Sequence, residues 1–261
     1  MKKNIYEVQP LYNKDATVDS IVTPIDIKVS DLFARMIKKN FAQLNYMIID
    51  EEKISQYGNN VFKAINNSEY QFVIDPVDGT LLYANGHPLY GITIGVYHNT
   101  KPMLGIIYMP AVGELVYCDG RKSYYVQNAF GKKAITTELK VQKTSSSPIA
   151  FCALQRWRLK DCSMSKIMFL NYFSAVSQTM YPLIGKAKSC CVTGSYMWDI
   201  AGVVPLAECL GMHIMEYESG KIYNRISDEF FDEKLRVKKP CVLCYPQDFD
   251  EICSMIEPLK R

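Results

Sequence analysis

The chain has 261 residues, 48% hydrophobic and 22% charged, with 30 basic against 27 acidic side chains and a net charge of +3. That length is ample for a buried core, in one large domain or two modest ones. The near balance of charge, with no long basic block, gives no support for a nucleic-acid partner.

No apolar run approaches the roughly 20 residues that cross a bilayer. Lys2-Lys3 is followed by no apolar stretch of the kind a secretory signal needs. The expectation is a soluble cytoplasmic protein with no membrane partner. Nine cysteines fall largely in apolar settings such as Val116-Tyr117-Cys118 and Cys209-Leu210. They are expected to be reduced and structural. Cys241-Val242-Leu243-Cys244 has half the spacing of a zinc ribbon, and no second pair accompanies it.

In chain order, Ser30-Asp31-Leu32-Phe33 is expected to open a helix, with Ser30 as its cap and apolar residues at 32, 33, 36, 37, 41 and 44 on one face. Tyr46 to Asp50 predicts a short buried strand that runs into three acids, and Gln71 to Asp75 predicts another that also ends in an acid. Further strands are predicted at 92–97, 105–109, 114–118 and 123–127, divided by turn residues, as an antiparallel meander. Thr144-Ser145-Ser146-Ser147-Pro148 is the candidate boundary. It divides an N-terminal α+β half, 1–145, from a C-terminal α/β half, 146–261. Beyond it a strand is predicted from Ile149 to Leu154, a helix at 163–174, an apolar helix at 199–210 stopped by Gly211, and a strand at Cys241 to Cys244. A last helix carries Phe249, Ile252 and Ile256 on one side.

The acids fall where strands end. Asp50-Glu51-Glu52 closes one, Asp75-Pro76-Val77-Asp78-Gly79-Thr80 closes another, and Asp199 follows Trp198 where a helix begins. Ends of buried strands are where side chains from distant segments converge on a crevice. Carboxylates meeting there repel one another unless a cation lies between them. Oxygen-only ligands suit magnesium or manganese together with a substrate phosphate. Within the hexapeptide, proline fixes the chain after Asp75 and leaves the Val77 carbonyl free to turn toward a metal. Glycine permits close backbone approach, so that the amides of Gly79, Thr80 and Leu81 can cradle a phosphate. A surface turn would explain Asp-Gly alone, and it explains the whole hexapeptide poorly.

The hexapeptide, continued as Leu81-Leu82-Tyr83-Ala84-Asn85-Gly86-His87-Pro88, resembles the signature of the inositol monophosphatase family, the lithium-sensitive, magnesium-dependent phosphatases. Val22-Thr23-Pro24-Ile25-Asp26 resembles the early threonine-aspartate segment of that family. Glu51-Glu52 resembles its acidic pair, and Trp198-Asp199-Ile200-Ala201-Gly202 its late tryptophan-aspartate motif. The resemblance implies an α/β layered sandwich with two sheets between helix layers, and a phosphomonoesterase acting on a small soluble phosphate ester. Glu51, Asp75 and the Val77 carbonyl would hold a first magnesium, and Asp75, Asp78 and Asp199 a second. Glu51 would also reach a third, looser ion through water. Thr80, bonded to Asp26, would orient the attacking water and take its proton. Glu52 would stand behind the ligands. Homodimers are common in the family.

Other features depart from it. Asp50 stands where the family has glycine, and there is little room for the long helix that usually precedes the threonine-aspartate segment. Counting back without gaps from Asp199, the substrate side falls on Ala175 and on Val192, the latter at the place of the family's hydroxyl-gripping glutamate, with Phe173 near a position usually small. Pro205 falls inside the predicted 199–210 helix and would bend it. The alternatives are a bisphosphate nucleotidase or sugar phosphatase of the same superfamily and, from another class, a catalytically weak scaffold or regulatory binding protein. A haloacid-dehalogenase-type phosphatase would need aspartates two apart, one of them a nucleophile. Here they are three apart.

Overall fold

The computed structural model describes residues 12–13, 21–142, 150–153, 157–160, 168–170 and 174–259. Strand β1 (Tyr12–Asn13) pairs antiparallel with β2 (Ile21–Val22), which leads into helix α1 (Pro24–Phe41). The helix begins six residues before the expected Ser30. Pro24 supplies a pre-set first-turn φ, and both the amide and the hydroxyl of Thr23 donate to Asp26 in that first turn. Ser30 is therefore interior, and its hydroxyl donates 2.5 Å to Asp50 Oδ2.

Strand β3 (Tyr46–Asp50) ends as the sequence predicts. A 3₁₀ segment (Ile54–Asn60) and helix α2 (Val61–Asn67) connect it to β4 (Tyr70–Asp78), which pairs with it in parallel. Helix α3 (Thr80–Ala84) follows. The meander then runs through β5 (Gly91–His98), β6 (Lys101–Met109), β7 (Glu114–Cys118) and β8 (Ser123–Gln127), all antiparallel. An edge strand, β9 (Ile135–Leu139), completes a seven-stranded sheet in the order β3 to β9. Its first four residues are exposed, so it carries no apolar alternation by which to recognise it.

The candidate boundary at Thr144 to Pro148 lies outside the described residues. Beyond it, β10 (Ala150–Ala153) agrees with the sequence, and β11 (Trp157–Leu159) follows. Where a helix is expected at 163–174, the described part is a strand, β12 (Met168–Leu170), paired in parallel with β10. Met-Phe-Leu suits either element, and pairing in a buried sheet decides it. Phe173 lies outside the described residues. Helix α4 (Ala175–Leu183) begins instead at Ser174, whose hydroxyl accepts the Ser177 amide.

Strand β13 (Ser189–Val192) precedes two short helices, α5 (Met197–Ile200) and α6 (Val203–Leu210), in place of the single helix expected at 199–210. The break at Ala201-Gly202 explains how Pro205 is tolerated. It is the third residue of α6, where the missing N–H has no intrahelical acceptor to lose. Strands β14 (His213–Glu216), β15 (Ile222–Tyr223) and β16 (Cys241–Cys244) join β12, β10 and β13 in a six-stranded sheet. Helix α7 (Phe249–Met255) follows, and Ile256 opens β17 (Ile256–Pro258) against β11 instead of extending that helix.

The faces sort by strand alternation. Cys190, Val192, Cys241 and Leu243 turn toward Val176, Met180, Val203 and Leu206 of α4 and α6, which in turn meet Ile107 and Met109 of the first sheet. Cys191, Val242 and Cys244 turn the other way, toward Ile252 of α7. On the outer face of the first sheet, Phe41 of α1 meets Phe72 of β4 with ring centroids 5.4 Å apart. The result is a layered α/β sandwich: α1, the first sheet, a middle layer with α2, α4, α5 and α6, the second sheet, and α7. One core cluster runs from Met47 to Tyr245 through both sheets. A carboxylate carried by α5 is thereby held at a fixed distance from those on β4. Gly95 makes the approach close, since a Cβ there would run into the Ala201 carbonyl, which also accepts the Tyr97 hydroxyl at 3.0 Å.

Candidate metal and phosphate site

In a regular strand, residues three apart point to opposite faces, so Asp75 and Asp78 on β4 would diverge. They do not. Asp75 pairs with Thr93 and Asp78 with Gly91, so the register slips by one residue between them. This bulge turns both carboxylates the same way. Asp199, third residue of α5, arrives from the middle layer. Ligand oxygens of Asp75, Asp78 and Asp199 all lie within 4.8 Å of one another. Glu51, just past β3, presents its carboxyl to Asp75 in hydrogen-bond contact.

Each acid is oriented by backbone amides. Asp78 accepts from Val176 at 2.7 Å and Ala175 at 3.2 Å, at the start of α4. Asp199 Oδ2 accepts from Tyr196 at 2.7 Å, and Asp75 Oδ1 from Val77 at 3.0 Å. Asp50 is buried, accepts from Ser30 and takes the Glu52 amide at 3.0 Å. It thus pins the turn that presents Glu51 and Glu52.

Asp26, with no exposed surface, accepts from Thr80 Oγ1 at 3.2 Å, and the same hydroxyl lies 2.9 Å from the Val77 carbonyl. Gly79 adopts φ +80°, and a Cβ there would fall 2.9 Å from Ser174 Cβ. Only glycine fits the turn that brings Thr80 and Leu81 into the first turn of α3, where amides have no intrahelical acceptor.

Crowding sets the electrostatics. Asp75 is held well above the usual carboxylate range by burial, with Glu51, Asp78 and Asp199 adding to it. Asp199 is raised likewise, by burial and then by Asp78 and Glu51. Asp78 is pushed up to about 6 by burial, against the pull of the Val176 and Ala175 amides. Asp26 is raised by burial and restrained by its bonds from Thr23. A buried, mutually repelling, all-oxygen donor set fits a hard divalent cation, which relieves the repulsion that protons otherwise relieve.

Among the residues named from sequence, Glu51, Asp75, Val77, Asp78, Asp199, Asp26, Thr80 and Gly79 converge here. Ala175 reaches the site through its amide on Asp78. Val192 is 2% exposed, inside the core. Ser30, Asp50 and the amides of Val176 and Tyr196 support the acids and were not foreseen. Asp50 alone left a signal, standing directly before the acidic pair.

A layered α/β sandwich gathers buried acids from β4 and α5 beside a threonine-aspartate pair, a donor set that could hold a metal ion. A profile of the inositol monophosphatase family matches residues 3–237, and the chain belongs to that family. It is 27% identical over 161 residues to the fructose-1,6-bisphosphatase/inositol-1-monophosphatase of Aquifex aeolicus, a match covering 58% of this chain and 59% of that relative. To Nus factor SuhB of Pasteurella multocida it is 24% identical over 216 residues, covering 79% and 76%. Among solved structures, the Thermotoga maritima IMPase superposes with a TM-score of 0.68 at 20% identity, covering 96% of this chain and 88% of that one. A structure described as IMPase/NADP phosphatase complexed with NADP and Ca2+ does so with 0.68 at 17% identity, covering 96% and 86%. No described helix is long and apolar enough to cross a membrane.

Proposed function

We propose that this chain is a magnesium-dependent phosphomonoesterase acting on a small soluble phosphate ester, with two or three ions held by Glu51, Asp75, the Val77 carbonyl, Asp78 and Asp199. The observation that carries this reading is the convergence of Asp75, Asp78 and Asp199 within 4.8 Å. Divalent cations bound there would lower the pKa of a coordinated water and stabilise charge on the leaving oxygen.

The remaining work falls to the chain. Thr80 has one hydroxyl proton and two acceptors in reach, Asp26 at 3.2 Å and Val77 at 2.9 Å. Were the Val77 carbonyl to serve as a metal ligand, that proton would go to Asp26 and leave a Thr80 lone pair to accept from the attacking water. Burial makes Asp26 a better base than an ordinary carboxylate, as a proton acceptor requires. The amides of Gly79, Thr80 and Leu81 would meet the phosphate oxygens. Burial and neighbouring acids make Asp75 and Asp199 hold a proton more tightly than free carboxylates, so metal loading should compete with protons.

At Val192, where the resemblance would put a hydroxyl-gripping glutamate, the side chain is packed in the core and offers no acceptor. A bisphosphate nucleotidase or sugar phosphatase accords with that change better than an inositol monophosphatase. The setting we favour is the cytoplasm, where cysteine thiols stay reduced, and the working unit we favour is a homodimer. Inorganic phosphate released from a panel of sugar, nucleotide and inositol phosphates, with magnesium and then with chelator, tests the reading. Release that is indifferent to chelator would reject it.

A further inference from the structure

Arg236 is tied to the acid cluster by a short chain of contacts. Asp199 Oδ2 accepts the Tyr196 amide at 2.7 Å. The Tyr196 ring lies parallel to Trp198, with centroids 4.7 Å apart and 4° between planes. Arg236 Cζ sits 5.7 Å from the centroid of the same ring, and Tyr196 and Arg236 also pair as an isolated antiparallel bridge. Because the indole occupies one face of the ring, the guanidinium takes the other.

The guanidinium is held and yet uncommitted. Its Nε donates 2.9 Å to the Gly194 carbonyl, and the Arg236 amide goes to Asp232 Oδ1 at 2.9 Å. Among the described residues no carboxylate forms an ion pair with it. Of five N–H donors, about four remain for a ligand. Backbone and ring dimensions put the guanidinium within about 14 Å of the Asp199 carboxylate. A half-buried arginine fixed in this way loses little side-chain entropy on binding, and its fork matches phosphate or carboxylate oxygens.

We propose that Arg236 is a specificity-determining residue that reads a second anionic group, a second phosphate or a carboxylate, on the non-reacting half of the substrate. This rests on the phosphatase reading, since it takes the reacting phosphate to lie at Asp75, Asp78 and Asp199.

The test is calorimetric binding to the full chain in calcium, using fructose bisphosphate against fructose monophosphate and adenosine bisphosphate against adenosine monophosphate. In at least one pair the bisphosphate should bind at least about tenfold tighter. Arg236→Gln should reduce that advantage to within about twofold, and Arg236→Lys, with charge but no fork, should restore part of it. If the Gln variant does not fold, the Lys variant decides alone, by a smaller bisphosphate advantage than the wild type. No bisphosphate advantage in either pair, or equal weakening of both esters, overturns the assignment. Phosphate release is measured separately. Release without the binding advantage sinks Arg236 and spares the phosphatase, and the advantage without release does the reverse.

Discussion

Asp78→Asn offers the most quantitative perturbation, because Asp78 is 8% exposed and its carboxyl is moved by burial from 3.8 to about 6. An acid whose folded pKa lies above its unfolded value binds its proton more tightly in the fold. Its cost to stability is therefore absent below about pH 3.8, grows as pH rises, and is complete above about pH 6. A gap of about two units corresponds to about 3 kcal/mol. Asparagine removes the charge and keeps one acceptor for the Val176 amide, while its amino group faces the Ala175 N–H and forfeits a bond worth about 1 kcal/mol. In chelator-treated protein the variant should then be about 2 kcal/mol more stable than wild type at neutral pH. It should show no such gain near pH 4. Urea unfolding at both pH values reads this directly. Parallel pH dependence of the two proteins would refute the reasoning, because it would mean that Asp78 carries no burial cost.

Thr80→Ala should lower kcat by about 10²–10⁴, and Asp26→Asn should act similarly; steady-state kinetics of the double variant should show little loss beyond either single, since the two act on one proton. Lithium should inhibit uncompetitively with respect to substrate, by holding product phosphate near Asp78 and Asp199, and a purely competitive pattern would count against that. Inositol monophosphates should be poorer by about tenfold or more in kcat/KM than the best ester of the panel, for want of a carboxylate at Val192.

Much of the site was legible because its chemistry is local. Asp75 to Thr80 is one contiguous turn, and its proline, glycine and acids each serve the phase change that the bulge provides. The meander was equally plain, for its strands alternate between a buried and a half-buried face. What was hidden depends on partners distant in sequence. Ser30 looked like a helix cap and is a ligand for Asp50, because Pro24 and Asp26 start the helix earlier. Met168–Leu170 carries no periodicity that separates strand from helix, and only pairing with β10 assigns it. Pro205 looked disruptive until the break at Ala201-Gly202 made it a first-turn residue. Arg236, at the other end of an isolated bridge from Tyr196, belongs to no motif at all.

The central claim is that Asp75, Asp78 and Asp199 hold divalent cations for ester hydrolysis, and a magnesium titration of phosphate release by wild type and Asp75→Asn tests it most directly. The ester is the best substrate of the panel, and folding of both proteins is checked by circular dichroism. The account predicts saturable activation of the wild type by magnesium and loss of turnover in the variant, since Asp75 is the acid shared by both proposed ions. Near-normal turnover by Asp75→Asn, or wild-type release that magnesium does not change, would contradict it.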